Sequence, residues 1–135
     1  MTPLPELTPE NASFWMGGAM GKLMITFCKD CAGAIHPPQL VCPICLSRDV
    51  EARAVAGTGT VYTFTVNHQQ WVPDMAVPFA VAVVDVDGAP GVRVTAPVQC
   101  SDPEAVRIGK RVTIAFSQRE DVWLPHWLLL DKEAA

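Results

Sequence analysis

The hydrophobic residues of this chain form short runs rich in β-branched and aromatic side chains, and turn residues separate the runs. This pattern is typical of β-strands. It is clearest beyond residue 50, where the turn cluster Asp87-Gly88-Ala89-Pro90-Gly91 stands between two such runs. The pattern predicts strands at 61–66, 79–86, 92–98 and 111–116, followed by a last apolar segment at 121–130.

A helical turn interrupts the predicted strands after the third. Ser101 and Asp102 precede Pro103, which is a signal for the start of a helix. About five short strands with a small helix in this place fit a five-stranded Greek-key barrel of the OB type, although strand count alone does not separate it from other small barrels. We predict a mainly β chain in which residues 50–135 form this barrel and a C-terminal apolar tail.

Residues 1–21 are predicted to form an N-terminal helical segment. Thr8-Pro9-Glu10 combines a capping hydroxyl, a proline at the first helical position and an acid in the first turn. Phe14 and Trp15 would lie on this helix, which nearby glycines end. Because so short a helix is marginal alone, we expect its aromatic residues to dock on the body of the protein or on another chain.

Four of the five cysteines lie in residues 22–49, in two pairs with the spacing C-x2-C-x10-C-x2-C. The spacing predicts a zinc ribbon. Zinc suits four thiolates, and four protein ligands leave no open coordination position, so the metal would be structural. Iron in the same cage remains an alternative, as do two disulfides, which need an oxidising compartment. The predicted ligands are Cys28, Cys31, Cys42 and Cys45.

Composition and charge narrow the function classes. No run of about 18 apolar residues occurs, so we expect no membrane span. The formal net charge is −4, which argues against a general nucleic-acid binder, because such proteins neutralise phosphates. Residues 1–10 lack the basic and apolar regions of a secretory signal. We therefore expect a cytoplasmic, reducing location, which suits metal-bound thiolates.

Several motifs follow one another in an order that resembles the DUF35 family of acyl-CoA-associated OB-fold proteins with a rubredoxin-like zinc ribbon. They cover nearly the whole chain. A glycine often follows each cysteine pair in such ribbons, whereas Ala32 and Leu46 stand there in this chain, and the 86–91 loop is short. The matching motifs are Phe14-Trp15, the two cysteine pairs, Pro37-Pro38, and the segments 57–65, 77–84 and 108–112.

The resemblance implies a non-catalytic accessory subunit. Members of the family sit against thiolase-like acyl-CoA enzymes or acyl-CoA hydratases and help to shape the acyl-CoA site. By this likeness, the partner is a larger thiolase-like enzyme in a hetero-oligomer that forms or cleaves carbon–carbon bonds of coenzyme A thioesters. A hydratase or an aldolase is the alternative partner. The cofactors implied are a structural Zn²⁺ and, as a ligand of the whole complex, a coenzyme A thioester.

No catalytic group is predicted from the sequence. Cys100 is the one cysteine outside the pairs, and free cysteines are usually buried and inert. His68 and His126 are single histidines without a recognisable partner to tune them. An enzyme acting by itself through one of these groups remains an alternative. So does a nucleic-acid-binding barrel that stacks bases on Tyr62 and Phe64, although their same-face alternation also suits a barrel interior.

Two apolar stretches, 71–78 and 122–130, would be costly to expose on a monomer. Tryptophan and methionine are enriched in interface cores, so we expect these stretches to contact a partner, with capping of the barrel as the alternative. The candidate interface residues are Phe14, Trp15, Trp71, Met75, Trp123 and Trp127.

A local basic cluster runs against the overall acidity, because the segment 107–119 contains four basic residues and no acid. A solvated strand face is the ordinary explanation. The functional alternative is contact with the phosphates of a CoA thioester, for which Arg offers planar, bidentate donors. The candidate phosphate ligands are Arg107, Lys110, Arg111 and Arg119.

Overall fold

Eight strands build the fold in the computed structural model, which describes residues 3–130. Three strands form a small sheet around the cysteine pairs and five form a closed barrel. The elements are α1 (Ala12–Met16), a 3₁₀ helix (Gly17–Met20), β1 (Leu23–Cys28), β2 (Ala34–Ile35), β3 (Val50–Val55), β4 (Thr58–Asn67), β5 (Phe79–Val86), β6 (Arg93–Val98), a second 3₁₀ helix (Pro103–Ala105), β7 (Arg111–Arg119) and β8 (Val122–Leu129).

The barrel has the strand order β4-β5-β6-β8-β7, and β7 closes it by pairing with β4. All its pairs are antiparallel except β6 with β8, which are parallel where Val98 faces Trp127. The short 3₁₀ helix lies between the third and fourth barrel strands. This arrangement is the OB-type Greek key, and it confirms the predicted fold class. The last five residues, 131–135, of the predicted tail lie outside the described residues.

The N-terminal helix is shorter than the sequence predicts. Thr8 begins a turn that runs directly into α1, and its carbonyl accepts from the N–H of Ala12 over 2.9 Å. Asn11 reaches back, and its Oδ1 accepts from the N–H of Thr8 over 2.7 Å. The Thr8 hydroxyl is buried and has no hydrogen-bond partner. The prediction that it caps the helix is therefore wrong, because this hydroxyl bonds none of the first N–H groups and Asn11 is the residue that directly precedes α1.

Gly18 brings the N-terminal segment into direct contact with the barrel. A Cβ at this position would lie 2.6 Å from Cγ of Phe116 and 2.6 Å from Cβ of Trp123. Both distances are far below van der Waals contact, so only glycine fits here. The segment that begins with α1 is therefore packed against β7 and β8.

The small sheet includes β3, which we assigned to the barrel. β1 pairs with β2 on one side and along its whole length with β3 on the other, from Leu23 opposite Val55 to Cys28 opposite Val50. The ribbon therefore extends to Val55 and the barrel begins at Thr58. The boundary predicted at residue 50 differs from this, because the hydrophobic pattern of a strand does not identify the strand with which it pairs.

A β-bulge in β4 corrects the predicted placement of its aromatic residues. The register with β5 shifts between Val61 and Thr63, so Tyr62 is an extra residue. Val61 is buried in the barrel and Phe64 packs against the core, whereas Tyr62 is exposed. The expectation that Tyr62 and Phe64 share a face is therefore wrong.

One hydrophobic core joins the barrel to the ribbon and the N-terminal helix. It contains Trp127 of β8 and Val61 of β4, together with Leu23 and Ile25 of β1 and Phe14 of α1. Burial of these large side chains is the main favourable contribution to folding. Among residues 3–130, no helix is long and apolar enough to cross a membrane.

Candidate metal centre and surface sites

The four paired cysteines converge at one end of the ribbon sheet. Their Sγ atoms all lie within 4.8 Å of one another. The Sγ atoms of Cys28 and Cys45 are 3.6 Å apart, and those of Cys31 and Cys42 are 3.7 Å apart. Tetrahedral zinc with Zn–S bonds of about 2.3 Å places its sulfurs about 3.8 Å apart. The four predicted ligands therefore fit a structural zinc ion.

The two cysteine turns have the same backbone geometry although neither contains the expected glycine. The N–H of Ala32 donates to the carbonyl of Cys28, and the N–H of Leu46 donates to the carbonyl of Cys42, each over 2.9 Å. Ala32 and Leu46 have φ angles of 64° and 65°. This left-handed conformation costs a residue with a Cβ about 1–2 kcal/mol. The site keeps its geometry in spite of that strain.

At Cys42, backbone N–H groups favour the thiolate form that a metal needs. The N–H of Cys31 lies 3.5 Å from Sγ of Cys28, and the N–H of Ile44 lies 3.4 Å from Sγ of Cys42. The N–H of Cys45 has the largest effect on Cys42, and with that of Ile44 it outweighs burial and lowers the pKa of Cys42 to about 7.

His36 lies between the cysteine pairs in sequence but is not part of the cluster. Its ring packs against Phe14, with the ring centroids 5.0 Å apart. Burial lowers the pKa of His36, so the imidazole is neutral at neutral pH. The metal centre is therefore built by cysteines alone.

The structure divides the six candidate interface residues into core and surface. Phe14 and Trp127 belong to the core, with 8% and 0% of their surfaces exposed. The interface that we propose below does not include them. Trp15 is partly buried and stands edge-on to Phe14, and Met75 and Trp123 are also partly buried. Trp71 is 66% exposed.

Trp71 belongs to the loop 68–78 between β4 and β5, which we call the Trp71 loop. The indole N–H of Trp71 donates to Oδ1 of Asn67 over 3.0 Å. The side-chain amide of Gln70 donates to the carbonyls of Pro73 and Met75 over 3.0 and 2.8 Å. These bonds order the loop and hold the indole outward, beside further exposed apolar residues, Val72 and Val77.

The four basic residues of 107–119 do not form one anion site. Arg111 is paired with Asp87, and Arg107 donates to the carbonyls of Glu104 and Val106. Arg119 lies at the other end of β7, about 26 Å from Arg111 at about 3.3 Å per residue. Arg107 and Lys110 lie in the turn before β7, so the four basic residues are spread from that turn to the far end of the strand.

Among residues 3–130, the contacts of the Cys100 thiol include no base that would activate it. Its Sγ contacts the carbonyl oxygens of Val98 and Asp102 at 3.9 and 3.5 Å, and the side chain packs against the core. Burial raises the pKa of the Cys100 thiol. Burial also lowers the pKa of His126, which lies in β8. Neither group is arranged as a nucleophile with its base.

The sequence reasoning missed a cavity of about 500 Å³ where the N-terminal segment, the ribbon and the barrel meet. Trp15, His36 and Arg93 line it, one from each of the three parts. These residues lie far apart in sequence, and no local motif connects them. Only the folded chain brings them together.

Two family models match adjacent parts of this chain. The ChsH2 rubredoxin-like zinc ribbon domain matches residues 15–51, and the ChsH2 C-terminal OB-fold domain matches residues 52–117. Together they cover most of the sequence, and their boundary falls inside β3.

Three curated proteins illustrate the similarity. The chain is 31% identical over 120 residues to the probable enoyl-CoA hydratase alpha subunit of Thermomonospora curvata. It is 32% identical over 126 residues to the 3-oxo-4,17-pregnadiene-20-carboxyl-CoA hydratase alpha subunit of Mycobacterium tuberculosis. These matches cover 89% and 91% of this chain but only 37% and 39% of those proteins. A DUF35 domain-containing scaffold protein of Methanothermobacter thermautotrophicus is 28% identical, over 66% of this chain and 67% of that protein.

Solved structures share the fold. The structure described as the Ltp2-ChsH2(DUF35) aldolase contains a chain with a TM-score of 0.82 and 28% identity, and the match covers 93% of this chain and 98% of that one. A DUF35 protein of Sulfolobus solfataricus matches with a TM-score of 0.64 and 16% identity over 90% of this chain and 86% of its own, which shows the common fold.

Proposed function

Because this chain belongs to the DUF35 family, with a ChsH2-type zinc ribbon followed by an OB-fold domain, we propose that it is a non-catalytic subunit of an enzyme complex acting on coenzyme A thioesters. One observation carries the proposal. Subunits named for acyl-CoA hydratases match it over about nine tenths of its length, and so does a chain from an aldolase structure.

The described residues support the non-catalytic part of this proposal. Cys100 contacts two carbonyls and its pKa is raised, so its thiolate is not favoured. The other four cysteines form the cluster that fits a structural metal ion. Four protein ligands leave that ion no open coordination position for a substrate. The chain therefore contributes surface and shape to the complex, and the partner contributes the reacting groups.

The geometry does not favour nucleic-acid binding. Phe64 packs against the core, and the guanidinium of Arg93 covers the ring of Tyr62 at 3.7 Å from its centroid. The Phe64 ring is therefore not available for a base to stack on, and one face of the Tyr62 ring is already occupied. The net charge of −4 adds to this argument.

For the partner, we retain a larger thiolase-like enzyme that forms or cleaves a carbon–carbon bond. The structure that contains a chain matched over 98% of its length is described as an aldolase, which supports carbon–carbon bond chemistry and makes an aldolase an alternative partner. An acyl-CoA hydratase is the second candidate, because two related subunits are named for that activity. In either complex the coenzyme A thioester would be bound by the assembly as a whole.

The Trp71 loop is the surface that we propose for the partner. Its indole is exposed while two side-chain networks fix the loop, so little conformational entropy would be lost on binding. Exposed tryptophans of this kind are frequent binding hot spots. Met75, which is partly buried in the same loop, would add area to it, and Trp15 and Trp123 stay candidate contacts on α1 and β8.

Affinity purification from the native source tests the proposal. We expect the tagged chain to recover a larger acyl-CoA enzyme, identified by mass spectrometry and by its turnover of either an aldol-type or an enoyl-type CoA thioester. Trp71→Ala should weaken the complex by about 2 kcal/mol, which is about 30-fold. Ile108→Ala is the control, because Ile108 is 67% exposed elsewhere on the barrel. Turnover of a CoA thioester by the chain alone, or recovery of no such enzyme, would contradict the proposal.

A further inference from the structure

The 500 Å³ cavity has the size and walls of a small-molecule site. Ligand sites commonly enclose about 300–1,000 Å³ and combine mostly apolar walls with a few polar groups. Here the walls include the indole of Trp15 and three proline rings, Pro37, Pro38 and Pro125. Transfer of a small apolar group from water into this cavity would therefore be favourable.

Arg93 is the cation in this lining, and its neighbours fix its position. Its Nε donates to Oδ1 of Asp85 over 2.9 Å, across the β5–β6 pair. Its guanidinium lies over the ring of Tyr62, with the central carbon 3.7 Å from the ring centroid. An arginine held on two sides in this way is already ordered before a ligand arrives.

The outer edge of the Arg93 guanidinium is left without a partner. Within residues 3–130, its bonds are made by Nε, and neither Nη1 nor Nη2 donates to another group. Two parallel N–H groups on one edge match the two oxygens of a carboxylate. Arg93 therefore brings an ordered guanidinium, with both Nη groups still available, to the lining of the cavity.

We propose that this cavity binds an organic carboxylate with an apolar body, and that Nη1 and Nη2 of Arg93 hold the carboxylate. The neutral imidazole of His36 adds no charge to the lining. Glu10 is the anionic group of the lining and comes from the N-terminal segment, on another element than Arg93. Its charge opposes an anionic ligand, so it weakens binding without setting the ligand's orientation.

A matched pair of ligands tests this site on the full, metal-loaded chain. The probes are 4-phenylbutanoate and its neutral amide, which share the same body. The readout is the set of indole N–H signals in a two-dimensional NMR titration, with the Trp15 signal assigned through Trp15→Phe. We expect the acid to bind about tenfold more tightly than the amide and to shift the Trp15 signal most.

Three variants separate this site from non-specific attraction. Arg93→Gln should bring the two probes to equal affinity, whereas Lys110→Gln, which removes the same charge from an exposed position, should leave their ratio unchanged. Glu10→Gln should strengthen binding of the acid. Thermal unfolding checks that each variant is folded, and Arg93→Lys, which keeps the charge but not the planar edge, should lose most of the preference.

Equal binding of acid and amide by the native chain would overturn the inference. So would a preference for the acid that survives Arg93→Gln, or a titration that shifts the Trp71 signal instead of the Trp15 signal. The site does not rest on the proposed partner, since the titration uses the chain without one.

Discussion

Asp87 and Arg111 form a two-point ion pair that ties the turn after β5 to the first residue of β7. Nη1 of Arg111 donates to Oδ1 of Asp87 over 3.1 Å, and Nη2 donates to Oδ2 over 2.5 Å. The hydroxyl of Thr58 also donates to Oδ2, over 2.7 Å. The pair stabilises the closure of the barrel where β4 meets β7. It also uses the guanidinium of Arg111, which we had named as a candidate phosphate ligand.

The Asp87 pair predicts a pH-dependent contribution to stability. Arg111, and after it Thr58, lowers the pKa of Asp87 in the folded protein. The stabilisation is therefore present above the unfolded pKa of about 3.9 and is lost as pH falls through the lower folded value. Because both side chains are partly exposed, Asp87→Asn should cost only about 0.5–1 kcal/mol at pH 7.

Urea unfolding between pH 7 and pH 2.5 measures this effect. The difference between the native chain and Asp87→Asn should shrink toward zero at the acid end. Asp121→Asn, which changes an exposed carboxylate, should differ little at any pH. A cost of Asp87→Asn that stays constant across the range would show that the ion pair is not its cause.

The metal centre predicts that each folded chain holds one metal ion. Four Sγ atoms within 4.8 Å of one another would otherwise be a costly arrangement of thiols in a small sheet. Elemental analysis of a chelator-free preparation should give about one equivalent of zinc, or of iron if that ion occupies the cage. Cys42→Ser should lower metal affinity and loosen β1–β3. Well-folded protein with less than about half an equivalent of either metal would contradict the assignment.

Replacement of Leu46 by glycine should stabilise the chain. Its φ of 65° is strained for any residue with a Cβ, and its side chain is 74% exposed, so little packing would be lost. Leu46→Gly should raise the free energy of unfolding by about 0.5–1 kcal/mol, after the entropic cost of glycine. Ile44→Gly is the control, since Ile44 is 69% exposed without a positive φ. Chemical unfolding of both variants decides, and destabilisation by Leu46→Gly would refute the strain argument.

Truncation of Trp127 should destabilise the chain far more than truncation of Trp71. Trp127→Ala removes a fully buried side chain from the core and should cost about 3–5 kcal/mol of stability. Trp71→Ala should change the stability of the isolated chain by no more than about 0.5 kcal/mol, because the side chain is mostly exposed. Denaturant unfolding compares the two directly. A large loss of stability in Trp71→Ala would make that residue structural and remove it from the proposed interface.

Cys100 should be dispensable for the activity of the complex. Its sulfur meets two carbonyl oxygens, and its pKa is raised by burial. Cys100→Ala should therefore leave the turnover of the assembled complex within about an order of magnitude. A loss of about 1,000-fold in a complex that still assembles would instead identify a nucleophile.

Sequence reasoning succeeded where a chemical rule acts over a short distance. The spacing of Cys28, Cys31, Cys42 and Cys45 dictates which atoms meet. The runs of β-branched residues also place the barrel strands within a few positions of their observed ends, because alternation along a strand is a local property.

The failures share a different cause, which is pairing between distant segments. β3 joins the ribbon because β1 has a free edge, and the bulge at Tyr62 arises from the register with β5. Arg111 is occupied by Asp87, a residue 24 positions away. Neither these partners nor the cavity around Arg93 can be read from the residues alone.

The core shared by β1 and the barrel has a mechanical consequence. Leu23 and Ile25 are fully buried in the same cluster as Val61 and Trp127, so the ribbon and the barrel are packed through one core. Loss of the metal would loosen β1 and thereby open the barrel's own core. The two modules should consequently unfold in a single cooperative transition. Metal binding in the ribbon would therefore stabilise the barrel as well, including the surface that contacts a partner.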